Sequence, residues 1–126
     1  MAFTPQNALV WCEIPVTDLD KAVAFYSTAF NYEMSIDNSG PNPMAFLPFN
    51  PTVPATAGHL YPGKPPAKGT GPTVHLAVPD TAEDAAARVK AAGGEVLSDA
   101  IEIPAGRFIY AMDPDGNSIG LFQGTK

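Results

Sequence analysis

The chain has 126 residues, of which 45% are hydrophobic and 16% charged, with a formal net charge of −6. That length suits one domain, and the apolar share is enough for a packed core. Seven lysines and arginines stand against 13 acids and form no run, which excludes the clustered cations needed to hold nucleic acid or an anionic membrane surface.

The first eleven residues, MAFTPQNALVW, carry neither a basic stretch nor a long apolar one, so no secretion signal or spanning helix is expected there. Residues 7–16 alternate and read as a strand. Val10, Cys12, Ile14 and Val16 fall on the side that a following helix should cover; Leu9, Trp11 and Glu13 fall on the other. Cys12 is the single cysteine, which rules out an internal disulfide, points to a reducing, cytoplasmic setting and reads as a small buried hydrophobe. In residues 18–30, DLDKAVAFYSTAF, the residues Ala22, Phe25, Tyr26, Ala29 and Phe30 share one helical face. Asp18 suits the cap, and Asn31 the left-handed position beyond the end. Residues 32–37 and 44–49 read as strands around the loop NSGPNP, and 55–61 as a fourth strand after NPTVP. Residues 62–72, PGKPPAKGTGP, contain no large apolar residue and read as an exposed linker with solvated Lys64 and Lys68.

The same order then returns. Residues 73–79 read as a strand with Val74, Leu76 and Val78 toward the core and Thr73, His75 and Ala77 away from it. Residues 80–92 read as a helix opened by a capping box of Asp80 and Glu83 and closed by Gly93 and Gly94. Residues 94–103 read as one strand. Residues 107–112 and 117–122 flank DPDG and read as a hairpin whose turn acids serve the turn rather than a metal; Arg107 is expected to pair with an exposed acid. At an offset of 62 the two halves overlay: Asp18 falls on Asp80, Asn31 on Gly93, Glu33 on Glu95 and Glu13 on His75. The expectation is one α+β domain over 1–126, made of two βαβββ modules (7–61 and 73–123) joined by 62–72. Related by a pseudo-twofold, their sheets would curve around a common cleft with the helices outside. Trp11, Glu13, Tyr61, Thr73, His75, Phe108, Tyr110 and Phe122 alternate onto the cleft side, where Trp11 serves either as a stacking wall or as filler between the sheets.

The pieces EIPVTDLDKAVAFYSTAFNYE, AARVKAAGGEVL and GRFIYAMDPDGNSIGLFQ, in this order on a duplicated frame, resemble the vicinal oxygen chelate superfamily over residues 9–123. That superfamily holds glyoxalase I, bleomycin- and fosfomycin-resistance proteins and extradiol dioxygenases, and the small glyoxalase-like bacterial proteins are the most similar form. The resemblance implies a divalent metal held by one side chain from the first strand and one from the last strand of each module. Those positions fall on Trp11, His59, Thr73 and Gly120. Tryptophan cannot ligate, glycine has no side chain and threonine is a poor donor, so the cage is expected to be lost and no cofactor is expected. Glu13 and His75 lie one rung along. With His59 they form a two-histidine, one-carboxylate set only if all three converge on a displaced centre. The alternatives are a Glu13–His75 hydrogen bond and two independent polar residues.

Two functions follow as expectations. One is a metal-free binding protein of the bleomycin-resistance kind, taking a small cationic or aromatic molecule in a cleft lined by Trp11, His59, Tyr61, Thr73, Phe108, Tyr110, Gly120 and Phe122. The other is a glyoxalase-like lyase, isomerase or dioxygenase in which Glu13 and His75 act as acid and base, or in which an atypical metal serves. No phosphate loop or Gly-x-Ser-x-Gly elbow is present. Sheet edges in such modules invite pairing between copies, so a homodimer is expected.

Overall fold

The computed structural model describes residues 2–125. Strand β1 (Cys12–Val16) leads into helix α1 (Leu19–Phe30), followed by β2 (Ile36–Asp37), β3 (Met44–Phe46) and β4 (Gly58–Pro62). The second half runs β5 (Val74–Ala77), α2 (Ala82–Ala91), β6 (Glu95–Val96), β7 (Ile101–Ile103), β8 (Gly106–Met112) and β9 (Ser118–Gly124). Two mixed sheets result. One has the order β1-β4-β3-β2; the other has the order β5-β9-β8-β6, with β7 also on β8. In each, the first strand runs parallel to the last and lies at the sheet edge. This is the α+β, two-unit architecture that the repeat predicts, and among the described residues no ladder joins the two sheets.

Helix α1 forms where its apolar stripe predicts. The Asp18 side chain accepts from the Lys21 amide at 3.1 Å, and Asn31 ends the helix at φ 58°. Leu19, Ala22, Phe25, Tyr26, Ala29 and Phe30 are buried. They share one core with Ile14, Val16 and Leu60 below them and with Leu76, Val89, Ile109, Ile119 and Leu121 of the second unit. The core is therefore common to both halves, and neither half has to bury its sheet alone.

Four local expectations are corrected. Strand β1 begins at Cys12, not at residue 7, because β4 starts at Gly58 and offers no partner to the residues before Cys12; Val10, expected under the helix, is 64% exposed. The stretch 94–103 splits into β6 and β7, because the Ser98 hydroxyl accepts from the Tyr110 amide and interrupts the ladder on β8. The cap of α2 is Thr81, whose hydroxyl accepts from the Asp84 amide at 3.0 Å. Asp80 instead takes a two-pronged bond from Arg88 at 2.8 and 3.0 Å, and this guanidinium holds its carboxyl below the usual range. Arg88 also donates to the Ala29 carbonyl at 3.0 Å, tying α2 to the end of α1. Lys68, expected to be merely solvated, pairs with Glu95 at 3.2 Å. Arg107 meets acids as expected, bonding Glu83 at 2.6 Å and Glu102 at 2.7 Å.

The cap assignment is testable. Thr81→Ala should lower the unfolding free energy by about 1 kcal/mol in urea titration, the usual loss for an N-cap hydroxyl. No change would return the cap to Asp80.

A second set of bonds crosses between the halves at the β8–β9 turn. Asp113, 3% exposed, accepts from the Tyr26 hydroxyl at 2.7 Å and from Asn117. Asn117 in turn donates to the Pro15 carbonyl at 2.8 Å, and Asp115 accepts from the Thr17 hydroxyl at 2.6 Å. The turn acids thus serve structure, and they hold the end of β1 against the start of β9. Among the described residues no helix is long and apolar enough to cross a membrane.

Candidate functional site

Alternation along the strands gives each sheet one face in the core and one face open. On the open face of the first sheet the indole of Trp11, the ring of Phe46 and the imidazole of His59 lie with centroids 6.0–6.2 Å apart, and Tyr61 continues the row 6.1 Å from His59. The Trp11 Nε1–H donates to His59 Nδ1 at 2.9 Å. An indole N–H can only donate, so Nδ1 is the bare nitrogen of His59 and the ring proton sits on Nε2. Trp11 is 37% exposed and so does not fill the core.

The open face of the second sheet gathers a separate group. His75 lies 4.9 Å from Phe108, 5.9 Å from Tyr110 and 6.0 Å from Phe122. The register explains the crowding. His75 sits beside Gly120 on β9, and a Cβ at Gly120 would collide with the imidazole. The glycine leaves the space that the His75 ring occupies. Partial burial among these rings pushes the His75 pKa below its ordinary value of 6.5, so the imidazole is neutral at neutral pH. Thr73 is turned to Ser118, with the hydroxyls 2.5 Å apart.

The lower His75 pKa has a stability consequence. The unfolded chain takes up the proton first as pH falls, so His75 is without cost above 6.5 and lowers stability as pH drops from 6.5 toward its folded value. His75→Gln should therefore lose less stability than the parent between pH 7 and pH 5 in paired urea titrations. Parallel pH profiles would contradict this.

Between the two sheets the edge strands β1 and β5 face each other across a cavity of about 490 Å³. Leu9, Cys12, Ile14 and Val74 supply apolar walls, and linker residues Pro66 and Pro72 close one side. Glu13 and His75 bring a carboxylate and an imidazole to the same cavity. A smaller cavity of about 210 Å³ continues along the seam, sharing Leu9, Cys12, Val74 and His75 and ending at Tyr32 and Ala57. Burial raises the Cys12 thiol above its ordinary pKa, which keeps it protonated and apolar in character.

The structure thus sorts the expected site residues. Glu13, Thr73 and His75 line the seam cavity. Trp11, His59 and Tyr61 form one open aromatic row, and Phe108, Tyr110, Gly120 and Phe122 belong with His75 on the other sheet. A Glu13–His75 hydrogen bond, one of the three alternatives, is not formed among the described residues; the two residues line the cavity from opposite edge strands. Sequence reading missed Val74, Pro66, Pro72 and Asn117 as cavity residues. A parallel strand at a sheet edge was the available signal, since such an edge lines whatever space separates two repeated units.

This fold and seam define a small two-unit α+β protein with a ligand-sized space between its halves. The sequence matches the Glyoxalase/Bleomycin resistance protein/Dioxygenase superfamily over residues 8–121, and the chain belongs to that superfamily. It is 28% identical over 121 residues to CFP32 of Mycobacterium bovis and of Mycobacterium tuberculosis, covering 92% of this chain but only 45% of theirs. The chain therefore spans less than half the length of these relatives. Among solved structures, a glyoxalase/bleomycin resistance protein from Albidiferax ferrireducens superposes with a TM-score of 0.71 at 20% identity, covering 94% of this chain and 100% of that one. The fosfomycin resistance protein FosX from Listeria monocytogenes gives 0.68 at 21% identity, covering 97% and 94%. These likenesses speak for the fold.

The residues present do not fit the metal cage that the resemblance implies. Of its four positions, Trp11 bears a donor-only indole, Gly120 bears nothing and lies under the His75 ring, and the Thr73 hydroxyl is held by Ser118. His59 has Nδ1 engaged by Trp11. Nor do Glu13, His59 and His75 converge: among the described residues no group of three or more His, Cys, Asp or Glu side chains is placed to hold an ion.

Proposed function

We propose that this protein binds a small, largely apolar molecule in the seam between β1 and β5, without the superfamily's four-ligand metal. The observation that carries the reading is the cavity itself. Its volume lies within the range of small-molecule sites, its walls are mostly apolar, and its few polar groups include one carboxylate and one neutral imidazole. Glu13, one of the lining residues, favours a positively charged or donor-bearing group on the ligand. Neighbours named for bleomycin or fosfomycin resistance are named for small molecules, which agrees with this reading.

The test is a thermal-shift series with benzyltrimethylammonium as probe and benzyl alcohol as its neutral counterpart. Saturable stabilisation by the cation, reduced in Glu13→Gln, supports the reading. No shift with either probe at millimolar concentration contradicts it.

A second reading rests on Glu13 and His75 meeting at one cavity: a glyoxalase-like enzyme in which a neutral His75 accepts a proton and Glu13 shuttles it. A turnover that survives Glu13→Ala unchanged removes that role. The proposal further includes a cytoplasmic homodimer. Phe46, Phe49, Ile101 and Ile103 stand 37–47% exposed, apolar surface of the kind that a second copy covers. Light scattering at the mass of one chain would contradict the dimer.

A further inference from the structure

The main chain of both edge strands presents hydrogen-bonding groups to the seam. In β1 the Cys12 amide donates to the Ala57 carbonyl at 3.2 Å, and the Val16 carbonyl accepts from Gly63 at 2.9 Å. Even-numbered residues of β1 therefore turn their backbone toward β4, and alternation turns Glu13 and Pro15 outward. Pro15 has no amide hydrogen, and its carbonyl is taken by Asn117 at 2.8 Å. In β5 the Val78 amide donates to the Phe122 carbonyl at 2.9 Å, so Val74 and Leu76 turn toward β9 while His75 and Ala77 turn outward. The Ala77 carbonyl is taken by the Tyr32 hydroxyl at 2.6 Å.

What remains at the middle of each edge is one residue with both backbone groups free among the described residues: Glu13 on β1 and His75 on β5. They are repeat partners, and both line the same cavity. Side-chain bonds close the carbonyls at the two strand ends, and nothing closes the middle. Both residues are exposed, and an unpaired amide and carbonyl on a strand edge form a template for an added strand.

We propose that the seam recognises a short extended peptide through the backbone of Glu13 and His75. The proposal rests on the cavity being the ligand site and adds the ligand's chemistry. A residue flanked by two amides offers an N–H and a C=O on one side, which is the complement of Glu13 or of His75. The next residue of an extended chain offers the same pair on the opposite side. A peptide of about two residues therefore satisfies both edges at once, as an added strand between two sheets. Its side chains would meet the apolar walls of Ile14, Val74 and Leu9.

The experiment is amide hydrogen exchange by NMR on the full chain, with two probes. One is N-acetyl-alanyl-alanine methylamide; the other is the same molecule N-methylated at both alanines, which keeps the bulk and removes the donors. In the free protein the Glu13 and His75 amides should exchange quickly while those of Ile14 and Leu76 are protected. The first probe should slow Glu13 and His75 by about tenfold or more, and the second should not. Protection of Glu13 and His75 in the free protein, or no slowing with the first probe, overturns the proposal. If both probes shift the Ile14 and Val74 methyl signals equally without protecting the two amides, the backbone recognition fails while the cavity reading stands. If neither these peptides nor benzyltrimethylammonium moves those methyls, the cavity reading fails as well.

Discussion

Asp113→Ala should lower the unfolding free energy by roughly 3 kcal/mol, the range for breaking a buried polar network. The carboxylate takes four bonds: at Oδ1 from the amides of Asp115 and Asn117, each 2.9 Å, and at Oδ2 from the Tyr26 hydroxyl at 2.7 Å and the Asn117 side chain at 2.9 Å. Tyr26 is fully buried, and the neighbouring carboxylate adds to the burial that pushes its hydroxyl pKa well up. Removing the carboxylate strands that hydroxyl in the core, which costs more than losing a bond between exposed partners. Tyr26→Phe removes donor and demand together and should cost only about 1 kcal/mol. In the double variant the two losses should fall short of adding, because they share one bond. Urea titration of the three variants measures this. An Asp113→Ala loss below that of Tyr26→Phe would mean that the turn does not brace the two halves.

Gly120→Ala should cost about 2 kcal/mol and displace His75, since the added methyl occupies space that the imidazole already fills. The strain has one cheap outlet, rotation of the ring away from Phe108 and Tyr110. The His75 ring signals should therefore lose the upfield shifts that neighbouring aromatic rings impose, while the Trp11–His59 pair on the other sheet stays unchanged. Unchanged His75 signals with full stability would mean that the ring does not lie over Gly120. The contrast between the two sheets separates a local displacement from general unfolding.

Both variants touch features with different legibility in the sequence. The helix α1 and its ends could be read directly, because Asp18, the Phe25/Tyr26/Phe30 stripe and Asn31 each impose a local geometry that tertiary contacts do not reverse. The two-unit plan could be read from the repeat, and the facing of Ile14, Val16 and Leu76 from alternation. The extent of β1 could not. Residues 7–11 alternate well, but a strand needs a neighbour, and the position of β4 is a property of the fold. The Thr81 cap was hidden for a related reason: Asp80 is an equally good cap by type, and only the approach of Arg88 from the next turns of α2 diverts it.

The site was legible in part. Composition showed that Trp11, Thr73 and Gly120 are poor metal ligands, and the repeat paired Glu13 with His75. It did not show that these two face each other across a gap instead of bonding, because the width of the seam is set by core packing and by the Asp113 and Asn117 bonds at its end. The aromatic residues belong to two groups, one per sheet, which alternation within a strand cannot distinguish from one cluster. The backbone groups of Glu13 and His75 carry no sequence signature at all.

The account stands on a seam that receives a ligand without a metal cage. Elemental analysis by mass spectrometry, on purified protein equilibrated separately with Zn(II), Ni(II), Mn(II) and Fe(II) and then freed of loose ions, tests it most directly. The account predicts far less than one bound ion per chain in each case. One tightly held equivalent of any of them, lost in His75→Gln or Glu13→Gln, would contradict it.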